Sequence, residues 1–141
     1  MYIKVMLDEG AKMPTRAHEA DAGYDLYSPQ DYILMAGHNA VIDTGVHIQI
    51  PKGYVGFLKS KSGLNVHHHI TGEGVIDSGY TGSIKVKLYN NSTDMNDTYE
   101  INKGDKIIQL VILPILTPKL ELVDMFEETD RGTGGFGSTG K

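Results

Sequence analysis

The 141-residue chain contains no cysteine. That excludes disulfide frameworks, thiol nucleophiles and zinc sites built on cysteine. Long hydrophobic runs are missing too. No stretch approaches the ~18 apolar residues that a membrane helix needs, so no membrane contact is expected. The opening residues, MYIKVMLDEGAKMP, lack the apolar segment of a secretory signal. Nor is there an excess of positive charge. Thirteen Lys and Arg against eighteen Asp and Glu leave a net charge of −5. Direct nucleic-acid binding, normally marked by a basic patch or stripe, is therefore not expected. These absences point to a soluble cytoplasmic protein. They leave room for a small anionic ligand, which a few placed cations, backbone N–H groups or a metal can hold.

Helical periodicity is scarce, and alternation takes its place. Val46, Ile48 and Ile50 alternate with His47 and Gln49, and Ile84, Val86 and Leu88 with Lys85 and Lys87. Such period-2 patterns predict strands with one buried face. Lys106 to Leu113 (KIIQLVIL) reads as a strand buried on both faces and ended by Pro114. Tyr54 to Leu58 and Tyr32 to Met35 read as strands as well. Turn signals separate these runs at Met35-Ala-Gly37, Pro51-Lys-Gly53, Ser78-Gly79, Asn90-Asn91 and Lys103-Gly104-Asp105. Seventeen glycines exceed the average usage of ~7% and fit a turn-rich chain. The expectation is an all-β sandwich, jelly roll or barrel. One helical turn is expected at Ser60 to Val66, capped by Ser60 or Ser62.

Four stretches carry chemistry. The tail from Arg131 to Lys141 (RGTGGFGSTGK) has five glycines and one large apolar residue, Phe136. It cannot bury enough surface to offset its entropy and is expected to be mobile without a ligand. Glycines let N–H groups converge on an anion, and Arg131 supplies a bidentate fork for phosphate. Phe136 offers a face on which a base can stack. Ser60-Lys61-Ser62-Gly63 repeats the phosphate logic at a helix start. Within GVIDSGYTG, Asp77 reads either as a turn-former or as a carboxylate placed to orient or deprotonate water. Tyr80 reads as cross-strand packing or as a flat wall for a sugar. In AGYDLYS, Asp25 is a candidate oxygen ligand for a hard cation. Gln109 interrupts an apolar strand, and a buried amide needs partners. His67, His68 and His69 read as loop or interface residues, because consecutive strand positions point to opposite faces and no HExxH spacing occurs.

The order AGYDLYS, SKSGL, GVIDSGYTG, KGDKIIQLV, RGTGGFGSTG resembles the five ordered motifs of the trimeric deoxyuridine triphosphatases, the dUTPases, over nearly the whole chain. The resemblance implies a jelly-roll-like β-barrel with one short helix, residues 1–126, and a mobile glycine-rich arm, residues 127–141, that closes over the active site. It implies a homotrimer with active sites at subunit interfaces, and Mg²⁺-dependent hydrolysis of dUTP to dUMP and pyrophosphate. Asp77 is implied as the residue that activates the attacking water. Tyr80 would pack under the deoxyribose, and Asp25 would hold Mg²⁺ through water. Lys61, Ser62, Gly63, Lys85 and Gln109 would bind substrate. The backbone around Thr71, Val75 and Ile76 would read the uracil edge, while Arg131, Phe136, Gly137, Ser138 and Thr139 close over the nucleotide.

Some positions depart from the pattern. Ser60-Lys61 replace the usual Pro-Arg, which keeps the charge and loses the bidentate fork. Gly79, Thr81 and Asn65 stand where many members carry Asp, Arg and Ala. Two other readings remain at this level. One is a dCTP deaminase of the same fold, for which Glu73 is the available hairpin carboxylate. The other is a nucleotide-gated regulator of a protein partner, with the polar loop 92–99 as its extra feature.

Overall fold

Alternation in the sequence becomes alternation in burial. Ile84, Val86 and Leu88 are 1% exposed or less, while Lys85 and Lys87 between them face solvent. The computed structural model describes residues 2–135. Among them are nine strands and one helix: β1 (Lys4–Leu7), β2 (Gly23–Tyr27), β3 (Tyr32–Met35), β4 (Asn39–Gln49), β5 (Tyr54–Lys59), α1 (Ser62–His68), β6 (Ile70–Ile76), β7 (Ser83–Asn90), β8 (Thr98–Ile101) and β9 (Lys106–Pro114).

Seven strands form one curled sheet in the order β1-β4-β7-β6-β5-β9-β2, and β3 pairs with β8 in a second, small sheet. Every pairing is antiparallel. The inward faces meet in one core that includes Leu26, Leu34, Ile42, Ile50, Leu58, Ile84, Ile108 and Leu110. This is the expected all-β, jelly-roll-like architecture with a single short helix. The tight turns use glycine where the backbone needs a positive φ, as at Gly53 (86°) and Gly104 (91°).

Some local expectations need correction. The helix begins at Ser62, but neither serine caps it. Lys61 occupies the N-cap position with no side-chain cap, because the Ser60 hydroxyl is already engaged with Gly72 on β6. His67 and His68 form the last turn of α1 and His69 ends it at φ 58°, so they are helical rather than loop residues. In β9 only the first half is buried on both faces. Ile107, Ile108 and Leu110 are inside, while Leu113 is 44% exposed near the free end. The loop expected at 92–99 stops earlier, since β8 begins at Thr98.

Beyond β9 the described chain has no further strand or helix. Ile115 N–H donates to the Gly53 carbonyl. From there to residue 135, backbone hydrogen bonds among the described residues occur only in the turns at 129–134. Leu116, Leu120, Leu122, Met125 and Phe126 on this arm are each more than 80% exposed.

Candidate active site

The candidate residues gather at two ends of the sheet. At the first, β2, β9, β5 and the start of α1 converge on Asp25. Its backbone is fixed by reciprocal hydrogen bonds with Thr15, and it lies opposite Gln109 in the β2–β9 register. The carboxylate is nearly buried and clamped by two ammonium groups. Lys61 Nζ donates to Oδ1, and Lys106 Nζ lies 2.8 Å from Oδ2. Burial opposes the charge, but the hydrogen bonds and fields of Lys106 and Lys61 outweigh it and hold the carboxyl below its ordinary range. The same contact raises the Lys106 ammonium.

Gln109 belongs to this cluster, its Nε2 donating to the Ser60 carbonyl at 3.1 Å. Its amide lies where a side chain on Gly23 would sit: a Cβ there would come within 2.6 Å of Oε1. The Ser60 hydroxyl in turn stitches the loop to β6, accepting from Gly72 N–H at 2.9 Å. Thr71 is next along β6, its hydroxyl accepting from Asn91 at 2.7 Å. An open groove of about 640 Å³ runs here, lined by Ser60, Asn65, Thr71, Gly72, Glu73, Lys87 and Tyr89. Ser62 and Gly63 stand exposed beside it at the head of α1.

The second end is the turn between β6 and β7. Val75 is exposed, Ile76 is buried, and Asp77 follows immediately with its side chain in solvent. Tyr80 N–H donates to the Asp77 carbonyl at 3.2 Å, which closes the turn. The phenol of Tyr80 folds back and donates to Ser83 O at 3.0 Å. Gly82 makes that possible, since an added Cβ would overlap the ring. Ser83 Oγ donates to Asp43 on β4, which lowers the Asp43 carboxyl from its usual range with help from Gly45 N–H and Lys85. Lys85 stands opposite Asp43 in the register, 4.0 Å away.

The two ends do not meet within one chain. Gly72 and Asp77 are five residues apart, a span of about 16 Å of extended strand. Arg131 lies apart from both in the exposed terminal turn, its Nε donating to the Gly134 carbonyl. Phe136, Gly137, Ser138 and Thr139 lie outside the described residues. Sequence reasoning missed Lys106, whose pairing with Asp25 needs β2 beside β9, and His47, which contacts the Asp77 turn. A charged residue heading a buried strand was the available signal for Lys106.

The donor set at Asp25 suits a hard cation only at one remove. Among the described residues no group of three or more His, Asp or Glu side chains converges on one point. Each Asp25 oxygen has one ammonium partner and keeps acceptor capacity for water. That fits Mg²⁺, which retains several waters and commonly adds substrate phosphates as ligands.

Comparison with known proteins agrees with these features. The family model described as dUTPase matches residues 9–140. A deoxyuridine 5'-triphosphate nucleotidohydrolase of Rattus norvegicus is 45% identical over 138 residues, 97% of this chain and 66% of the rat protein, so the chain spans just under two thirds of that relative. The Clostridium acetobutylicum protein of the same name is 41% identical over 95% of this chain and 92% of its own length. Among solved structures, the Staphylococcus bacteriophage 80alpha dUTPase with dUPNHPP superposes with a TM-score of 0.93 at 37% identity, covering 99% of both chains. A mutant dUTPase from phage phi11 of S. aureus, described with a structural Mg(II) ion, gives 0.83 at 38% identity over 91% of this chain and all of that one. With a family model spanning nearly its full length and these relatives on the same curled sheet, the chain belongs to the dUTPase family.

Proposed function

We infer that the chain is a dUTP nucleotidohydrolase, and we propose that Asp77 is its general base. Water attacks the α-phosphorus of dUTP in line with the leaving pyrophosphate. Asp77 takes the water proton, the bond from the α-phosphorus to the bridging oxygen breaks, and dUMP and pyrophosphate leave. What supports the role is the contrast among carboxylates. Asp25 is clamped by two lysines, Glu73 pairs with Lys59 at 3.4 Å, and Asp43 holds Ser83. Asp77 is exposed and, among the described residues, has no side-chain partner. Tyr80, three residues on and 45% exposed, is placed to lie against a deoxyribose and crowd a 2′-hydroxyl.

The lysine-clamped end takes the phosphates in this reading. Lys61, Ser62 and Gly63 supply positive charge and donors, and Gln109 fixes the loop that carries them. Lys85 adds charge near the turn. Mg²⁺, held through water by Asp25, would neutralise charge on the phosphate chain. It also reconciles a chain of net charge −5 with a polyanionic substrate.

About 16 Å of strand between the two ends supports an active site completed by a second copy, in a homotrimer. The apolar arm supports the same view. Five large apolar side chains in open water between residues 116 and 126 are a surface that another copy would cover. Residues 127–141 would then close over bound nucleotide, with Arg131, Ser138 and Thr139 on phosphates, Gly137 giving the backbone room, and Phe136 over uracil. No helix among the described residues is long and apolar enough to cross a membrane, which is compatible with a cytoplasmic location.

Incubation with each deoxynucleoside triphosphate and Mg²⁺, assayed for pyrophosphate and ammonia, tests the reading. Pyrophosphate from dUTP alone is expected. Ammonia from dCTP would instead establish the deaminase.

A further inference from the structure

We propose that His47 is a positioning residue for the Asp77–Tyr80 turn and thereby sets the discrimination between deoxyribose and ribose. This rests on the reading of that turn as the sugar-binding element. His47 Nδ1 lies 2.7 Å from the Thr81 carbonyl, within the turn, and Nε2 lies 3.2 Å from Asp8 Oδ1 at the end of β1. One ring thus ties the carbonyl of Thr81, the residue after Tyr80, to the end of a separate strand. The β4–β7 ladder is irregular beside this contact. Asp43 pairs with Lys85, but His47 pairs with Ser83, so β4 carries extra residues between them. Gly45 provides the bulge with φ 65°. Continuing the Asp43–Lys85 register without the bulge would set His47 opposite Thr81; the bulge moves its backbone partner to Ser83, and the imidazole still reaches the Thr81 carbonyl.

The consequence falls on Tyr80 rather than on the fold as a whole. Its phenol is held by Ser83 O on one side, and the carbonyl of the next residue, Thr81, is held by His47 on the other. Without the imidazole, the Thr81 carbonyl can turn to water and the ring gains freedom beside C2′. Ribose is then rejected less strongly.

Two amide variants separate the contacts. His47→Asn retains a donor near the Nδ1 position and loses the reach to Asp8. His47→Gln retains a donor near Nε2 and loses the bond to Thr81. The readout is the ratio of kcat/KM for dUTP to that for UTP. Because both substrates meet the same folded molecules, a partly unfolded sample does not change it. His47→Gln should lower the ratio about five- to ten-fold, the size of one hydrogen bond's net contribution, and His47→Asn should leave it within about two-fold of wild type. A ratio unchanged in His47→Gln, or lowered equally in both variants, would overturn the proposal. Wild-type protein inactive on dUTP would defeat the underlying reading instead, so the two failures are distinct.

Discussion

The two ends of the sheet are built on opposite electrostatic plans. At the Asp25 end a nearly buried carboxylate is clamped by two lysines, and the amide of Gln109 is fixed by the backbone beside them. Two ammonium groups there outnumber the one carboxylate, and the side chains are tied. At the turn end the backbone is tied and the acid is left free. Tyr80, Thr81 and Ser83 are each held by a named partner, while Asp77 projects into solvent. A base has to be available to water, whereas a polyanion needs a cationic surface that is already ordered. The contrast is the ground for the proposal that proton transfer belongs to one end and charge accommodation to the other.

The sharpest way to break this contrast is Asp77→Asn. The amide is nearly isosteric but cannot take a proton. Turnover should fall roughly 10²–10⁴-fold with nucleotide affinity near wild type, measured by kinetics and by direct titration with a non-hydrolysable analogue. Near-normal kcat would remove Asp77 from the role.

Gly82→Ala comes next and acts on the same end. Its Cβ would overlap the Tyr80 ring, so the ring must swing away. The dUTP-to-UTP preference should drop by about ten-fold or more, with little change in stability, since the displaced atoms are the far end of an exposed side chain. Unchanged preference would make Tyr80 ordinary packing.

The ends should also part in their response to pH. Asp25 has a depressed folded pKa, so its contribution is complete above its ordinary value of 3.8 and fades as pH falls through the lower folded value. Asp43 at the turn end behaves alike. His47 is shifted upward by the Thr81 carbonyl and by Asp8. Its contribution is complete below 6.5 and fades as pH rises through the higher folded value. The charges around it are Asp8 on the β1 side, Asp43 on β4 with its partner Lys85, and Lys4 across the shallow groove beside Thr81. Thermal melts in EDTA should thus show acid loss in wild type, and an alkaline loss that His47→Gln abolishes. An alkaline limb that persists in the variant would assign it to another group.

The smallest effect is expected at Glu73→Gln. The Lys59–Glu73 pair is exposed on both sides, and such pairs contribute about 0–1 kcal/mol. Melting temperature and pyrophosphate release should be nearly unchanged.

Legibility in the sequence follows the same division. Tyr32–Met35 emerges as a strand with those limits, and the alternating runs around Ile48 and Val86 lie in strands, because period-2 burial is a local property. β1 and β2 were not legible. β1 is a short edge strand with mostly exposed side chains, and β2 buries Asp25 where a hydrophobic pattern would place an apolar residue. The turn at Ser78-Gly79 was readable from glycine alone. The Asp25–Lys106 contact was not, since it joins residues far apart in sequence through a strand order that no local pattern specifies. His47 reads as one more solvent-facing residue of an alternating strand until the Thr81 carbonyl is seen against its ring.

The central claim is that the two ends act together across copies, and subunit mixing tests it most directly. Chains carrying Asp77→Asn retain the lysine-clamped end, and chains carrying Asp25→Asn retain the turn. Each variant is first shown to be inactive alone, and exchange is verified by native mass spectrometry. Random assortment of equal amounts should then pair an intact turn with an intact Asp25 end in about one site in four of a cyclic trimer, and dUTP hydrolysis should return to that extent. A mixture that exchanges subunits and stays inactive would contradict the account.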